Sequence, residues 1–274
     1  MGENRFPSRI DVHARQGDLG RDGSVSTIGL ARWLEDARLR VRLRRFERLV
    51  GVGAFDRFSI ILVSQSVERL APVGRTDANV QVHTGIRHIG RSSFTYEQAV
   101  LADGRRVGGG GATIVLAGAT GPLTLPDELI ADLADLQLAA SEQQMPPRPG
   151  ADRRERGYYP GSVSLRARIG DVDYNEHVNF MALATWYDEA IATLTRKAME
   201  IGREGPVPDL LPWSYRIHYL GEVAYPGDYE IGVLVRSFDA DAVCYELGVF
   251  QGDECLGVAD AVGPRGELPT VALA

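Results

Sequence analysis

The chain has 274 residues, 44% of them apolar and 24% charged, which is the profile of a soluble globular protein with one large domain or two ordinary ones. A net charge of −7 argues against a nucleic-acid binder, and no apolar run approaches the roughly 20 residues that a membrane-spanning helix needs. Two cysteines, Cys244 and Cys255, make no disulfide framework and fit a reducing cytoplasm; the polar stretch Met1 to Ile10 reads as no secretory leader.

In chain order, a short strand is predicted over Ile10–Arg15, followed by a polar Gly/Asp turn and a long helix over roughly Thr27–Val50. Leu39, Leu43, Phe46 and Val50 fall at helical period in that segment. Four strands should follow, at Phe58–Leu70, Ala78–His88, Ser92–Ala102 and Arg106–Leu116. Gly118–Gly157 then separates this block from the next, with a short helix predicted within Asp127–Ala140 and an exposed polar connector over Ser141–Gly157. The second block opens with a strand at Ser162–Arg168. A helix over Asn179–Gly202 carries Leu183, Tyr187, Ala190, Ile191 and Leu194 on one stripe. Strands are predicted at Leu211–Leu220, Tyr229–Phe238, Ala242–Phe250 and Glu254–Val262. Asp103-Gly104 and Gly252-Asp253 are hairpin signals between the last two strands of each block.

The two blocks are copies of one unit. Ala14–Ala37 laid on Ala167–Ala190 at an offset of 153 gives nine identities in 24 ungapped positions, among them Arg15/Arg168, Gly17/Gly170, Asp18/Asp171, Val25/Val178 and Trp33/Trp186. The acidic pairs Glu35/Asp188 and Asp36/Glu189 add to the match, and Tyr96-Glu97 falls on Tyr245-Glu246 at an offset of 149. One helix among five mostly antiparallel strands buries its stripe only if the sheet wraps around it. The expected class is α+β, a tandem of two such units over 1–118 and 158–274 joined by 119–157. Two copies in one chain would mimic a two-fold dimer, which leaves pairing with a second chain open.

Chemistry concentrates in the turn before the second helix, Asp171-Val172-Asp173-Tyr174-Asn175-Glu176-His177-Val178-Asn179. A helix start offers backbone N–H groups and the positive end of the dipole, which can hold an oxyanion. A carboxylate beside it can activate water, and a histidine can move a proton near neutral pH. Asp-x-Asp-x-Asn-x-His-Val-Asn ahead of a helix bearing Trp-x-x-Glu resembles the hotdog thioesterases, above all the tandem-hotdog acyl-ACP thioesterases, whose site lies in the C-terminal copy. The resemblance implies thioester hydrolysis of an acyl-CoA or acyl-ACP in fatty acid metabolism, without a cofactor. It implies Asp173 as the catalytic or supporting aspartate, Asn175 and His177 holding substrate or water, and Val178 and Asn179 near the thioester carbonyl. The family also has an acid on the strand after the helix. This chain has His218 there, and Glu68 at the matching place in the first copy, so both are candidate substrate contacts.

The first copy is an internal control. Gly20, Asp22, Ser24 and Ser26 stand where the second has Asp173, Asn175, His177 and Asn179. The scaffold is kept and the chemical set is lost, so making the turn does not require that set. Asp171, matched by Asp18, reads as a structural residue, and Asn179 equally as a helix cap. Arg38, Arg40, Arg42, Arg44, Arg45 and Arg48 on the first helix read either as a solvated face or as a landing strip for CoA phosphates or an acidic carrier protein. The run Gly108–Gly111 either lets backbones approach or leaves space for an acyl chain. No His, Cys and acid spacing resembles a metal site. A hydratase, or a non-catalytic acyl-binding protein, is the alternative function.

Overall fold

The computed structural model describes residues 6–51, 59–118, 120–139, 148–173, 176–202, 204–205 and 210–268, with the side chains of 42–51 and of residue 59 left aside. The chain forms two compact units, Met1–Pro146 and Pro147–Ala274.

In the first unit, β1 (Ser8–Asp11) precedes helix α1 (Thr27–Gly51). Strands β2 (Ser59–Arg69), β3 (Val80–Ile89), β4 (Ser93–Ala102) and β5 (Arg105–Gly118) follow. They make an antiparallel sheet in the order β1-β3-β4-β5-β2, with the two-residue β6 (Gly121–Pro122) on β5. The second unit repeats this with β7 (Gly161–Arg166), α3 (Phe180–Ala198), β8 (Ser214–Tyr219), β9 (Asp228–Phe238), β10 (Ala242–Gln251) and β11 (Glu254–Pro264). Its order, β7-β9-β10-β11-β8, is the first unit's order copy for copy. The expected elements are therefore present, with ends moved by a few residues. The hairpin turns fall at Asp103 and Gly104, both with positive φ, and at Gly252 with φ 60°.

Each helix lies on the face of its own sheet. In α1 the row that packs is Leu30, Leu34, Ala37 and Val41, all buried. Leu39, expected in the apolar stripe, is half-buried, and Leu43, Phe46 and Val50 lie outside the described side chains. Glycines set how closely α1 approaches. A Cβ on Gly108 would stand 3.0 Å from Leu30 Cδ1 and 2.7 Å from the Glu68 carbonyl oxygen. One on Gly110 would stand 3.0 Å from Leu34 Cδ1 and 2.0 Å from the Ser66 carbonyl oxygen. The glycine run thus serves close backbone and helix approach. In α3 the predicted stripe packs inward, with Leu183, Tyr187, Ala190 and Ile191 buried and Leu194 half-buried.

The stretch between the repeats is divided between the two units. Helix α2 (Asp127–Ala134) buries Leu129 and Leu133 in the first unit's core, and Leu136 and Leu138 exchange backbone hydrogen bonds with Ile86 of β3. Residues 151–158, expected as exposed connector, form 3-10 turns that close the second unit's sheet on the face away from α3. Buried Arg153 donates to Asp260 Oδ1 at 2.8 Å and to the Ala259 carbonyl at 2.7 Å. Tyr159 caps Gly232 and Gly248, with its hydroxyl donating to the Leu247 carbonyl. Leucine spacing in one part and a buried ion pair in the other tie these segments down, where composition alone suggested loop. Residues 141–147 of the expected connector lie outside the described residues.

Candidate active site

The same turn is built in both units. In the second, Ile169–Asp171 forms a 3-10 turn in which Asp171 Oδ2 accepts from Arg168 N at 2.9 Å. In the first, Asp18 Oδ2 accepts from Arg15 N at 3.0 Å. Val172 bridges Val178, Asp173 N donates to the His177 carbonyl at 3.0 Å, and Glu176 N to the Asp173 carbonyl at 3.1 Å. Leu19 and Val25, Gly20 and Ser24, and Gly23 and Gly20 make the equivalent contacts in the first unit. Even the left-handed residue is kept: Gly23 has φ 76° and Glu176 φ 68°. A glutamate in that region costs about 1 kcal/mol relative to glycine.

What differs is the side-chain set. The first unit's turn closes on itself, because Asp22 accepts from Ser24 N and Ser24 Oγ and pairs with Arg69 at 3.2 Å. In the second unit three polar groups collect at the start of α3. Asp173 Oδ1 stands 3.8 Å from His177 Nδ1, and Asp173 Oδ2 accepts from Asn179 Nδ2 at 3.5 Å. The Asp173 side chain is 17% exposed and that of His177 is 34%, so both reach solvent without lying open to it. The outer ring nitrogen of His177, Nε2, stands 3.8 Å from Glu222 Oε1. Asn179 is also the N-cap, its Oδ1 accepting from Met181 N at 2.7 Å. Ser26 does the same in the first unit, accepting from Gly29 N at 2.9 Å.

Of the residues singled out from sequence, the structure brings together Asp173, His177 and Asn179. Asn175 lies outside the described residues. Val178 is buried and its amide is taken by the Val223 carbonyl at 2.8 Å, while the amide of Asn179 is taken by the Asp171 carbonyl at 2.8 Å. Backbone donors at this helix start are therefore those of the first turn of α3, beginning at Phe180, apart from the Met181 amide, which the Asn179 side chain takes. His218 lies elsewhere. Tyr215 on the same strand faces α3, so by strand alternation His218 faces the other side, towards Asp260 and the 3-10 turns. Burial lowers its pKa, opposed by Asp260. Glu68 is exposed on β2 of the first unit. Of the arginine row, Arg40 pairs with Asp36 at 2.8 Å in the open, whereas Arg38 is buried in the first unit's interior. Arg42, Arg44, Arg45 and Arg48 lie outside the described side chains.

Two features were missed from sequence. Glu222 follows β8 in Gly221-Glu222-Val223, the segment that receives the Val178 amide, and the first copy carries Pro72 there. Asp188 on α3 accepts a hydrogen bond from the Tyr215 hydroxyl. Burial pushes its carboxyl up to about 7, with the tyrosine hydrogen bond acting in the opposite sense. The position was visible as a matched acidic pair, but its tyrosine partner lies 27 residues away on another element. Among the described residues no group of three His, Cys, Asp or Glu side chains could hold a metal ion.

No family model matches the chain, and no curated protein matches it by sequence. Solved structures do resemble it. An oleoyl thioesterase from Lactobacillus plantarum shares 14% identity over 94% of this chain and 94% of that one, at a TM-score of 0.72. The 12:0-ACP thioesterase from Umbellularia californica shares 16% over 94% and 97%, also at 0.72. An acyl-ACP thioesterase from Bacteroides thetaiotaomicron shares 14% over 95% and 98%, again at 0.72. At such identities the likeness establishes the fold, and this chain is a double hotdog.

Proposed function

We propose that the chain hydrolyses an acyl thioester, carried on CoA or on an acyl carrier protein, at the start of α3. The observation that carries this reading is the difference between two turns with the same backbone. The second unit places Asp173, His177 and Asn179 around one helix N-terminus, and the first unit fills those positions with Gly20, Ser24 and Ser26. Asp173 accepts the proton of the attacking water. His177, between Asp173 and Glu222, holds the water or shuttles the proton, and Asn179 orients the carboxylate while capping the helix. The N–H groups of the first turn of α3 other than that of Met181, which caps onto Asn179, stabilise the oxyanion, aided by the helix dipole. Asn175, from the same motif, is assigned a substrate contact. The whole-chain likeness to acyl-ACP thioesterases supports an acyl thioester substrate and a role in fatty acid metabolism, and the two free cysteines support a reducing cytoplasm.

Thiol release from acyl-CoA and acyl-carrier substrates of graded length tests the reading. Asp173→Ala should lower kcat about 100-fold or more. Undiminished hydrolysis by that variant would remove Asp173 from the mechanism, and no hydrolysis of any thioester by the native chain would remove the reaction.

A further inference from the structure

Among the described residues of the second unit, three large apolar side chains stand open to solvent: Ile169 at 72% exposed, Tyr225 at 41% and Leu220 at 40%. Leu220 has an exposed counterpart in the first unit, Leu70, and the two amides make the same backbone bond, to the Leu256 and Val107 carbonyls. Leu220 therefore belongs to the fold. Ile169 and Tyr225 do not, because the first unit has exposed Gln16 and Arg75 at those positions. The correspondence holds in three dimensions. Gln16 and Ile169 open the same 3-10 turn, and Val73 and Val223, two residues before Arg75 and Tyr225, accept from the amides of Val25 and Val178.

Both positions adjoin the candidate site. Residues 223–227 are fastened to both ends of the turn that carries Asp173. Val178 N donates to the Val223 carbonyl at 2.8 Å, His177 bridges Ala224, and Ala167 N donates to the Gly227 carbonyl at 2.9 Å. The Tyr229 hydroxyl donates to the Ala224 carbonyl at 2.7 Å, which holds the segment in place from beneath. Ile169 lies in the fastened turn and Tyr225 in the fastened segment. In the first unit the side chains at these two positions meet, with Arg75 Nη1 donating to Gln16 Oε1 at 3.2 Å, so the shared backbone gathers Ile169 and Tyr225 into one patch. A bridged pair is about 5 Å apart and the next Cα about 3.8 Å further, which starts the Tyr225 side chain within about 9 Å of the His177 backbone. An isoleucine left mostly in water adds nothing to the stability of the fold, and the fold accepts a polar pair here. The apolar pair goes with the chemical set: the unit with Asp173 and His177 has it, and the unit with Gly20 and Ser24 does not.

We infer that Ile169 and Tyr225 form the subsite for the pantetheine arm of the thioester, whose gem-dimethyl group and methylenes pack on the two side chains. This rests on thioester hydrolysis at Asp173 and deepens it by placing the leaving group. With the thioester carbon at the start of α3, the thiol half has to run out of the site to solvent, and this patch is exposed surface joined to the site. In CoA and in a carrier protein alike that half is pantetheine, an uncharged chain of two amides ending in a gem-dimethyl carbon. From the sulfur to that carbon the extended chain is about as long as three residues, about 11 Å, which spans the step from His177 to Tyr225. An uncharged, partly apolar arm fits a rim that carries a tyrosine and an isoleucine where the first unit has an arginine and a glutamine.

The 2-oxodecyl thioethers of pantetheine and of N-acetylcysteamine keep a carbonyl and the alkyl chain but are not hydrolysed. Titrated calorimetrically into the full chain, the pantetheine compound should bind about 10-fold more tightly, the factor expected when about 60 Å² of apolar surface is covered. In the double variant Ile169→Gln, Tyr225→Arg, which copies a pair the first unit already carries, that ratio should fall to about 1. If the double variant fails to fold, Ile169→Gln decides alone, with the ratio falling to about 3. Equal affinity of the native chain for the two compounds, no saturable binding of the pantetheine compound, or a ratio that survives the substitutions overturns the assignment. Octanoyl-CoA and an octanoyl carrier protein distinguish the sources of the arm: the substrate whose kcat/KM falls about threefold in Ile169→Gln delivers it, and turnover of both that is indifferent to the substitution overturns the subsite. The thioethers report binding without turnover, so a native chain that binds them as expected and releases no thiol would remove the reaction at Asp173 and leave the subsite standing.

Discussion

Replacing Asp188 with asparagine tests the electrostatics of the second unit without touching Asp173. The Asp188 carboxyl faces the interior between α3 and β8, accepts from the buried Tyr215 hydroxyl, and has its pKa raised from 3.8 to about 7 by burial. Between those two values the folded protein keeps the proton that the unfolded chain releases. The contribution to stability is therefore fully present below the unfolded value and is lost as pH rises through the folded one. A shift of about 3 units corresponds to about 4 kcal/mol, and the solvent that still reaches part of this side chain reduces the expected effect to about 2 kcal/mol. Asparagine keeps an acceptor for Tyr215 and carries no charge. Urea unfolding at about pH 4 and about pH 8 should show the native chain losing about 2 kcal/mol relative to Asp188→Asn across that interval, with the variant the more stable at the higher pH. Parallel pH profiles for the two proteins would refute the placement of a buried, protonated carboxyl at this position.

Glu176→Gly should raise the melting midpoint by relieving the left-handed residue of the site turn, a gain of about 0.5–1 kcal/mol, since Gly23 already fills that position in the first unit. Gly110→Ala should destabilise the chain by about 3 kcal/mol in urea unfolding, because its Cβ would stand 2.0 Å from the Ser66 carbonyl oxygen. Asn179→Ala should cost about 1 kcal/mol as a lost cap, and it should also lower kcat because the same side chain bonds Asp173; a loss of stability with kcat unchanged would make Asn179 a cap alone.

The tandem was legible because a repeat is compared with itself. Arg15/Arg168 and Asp18/Asp171 make the same hydrogen bond in both units, so the matching letters mark matching geometry. The candidate site stood out for a related reason, since copies that share a backbone expose which side chains it does not require. Less was readable where a contact joins distant elements. Asp188 and Tyr215 lie on a helix and a strand that sequence spacing does not relate. Arg38 looked like one of a row of solvated arginines until the sheet placed Gln98 beneath it. His218 stands where the resemblance expects an acid and read as a candidate substrate contact; strand alternation turns it away from α3.

By itself, the sequence determined the α+β class, the two units and the turn that holds Asp173, because these depend on period, local hydrogen bonding and internal repetition, all of which are short-range properties of the chain. Only the tertiary structure decided which polar residues are buried and what they meet there. Burial is set by which face of which strand lies under a helix, and a single residue of register moves a side chain from the interior to the opposite face.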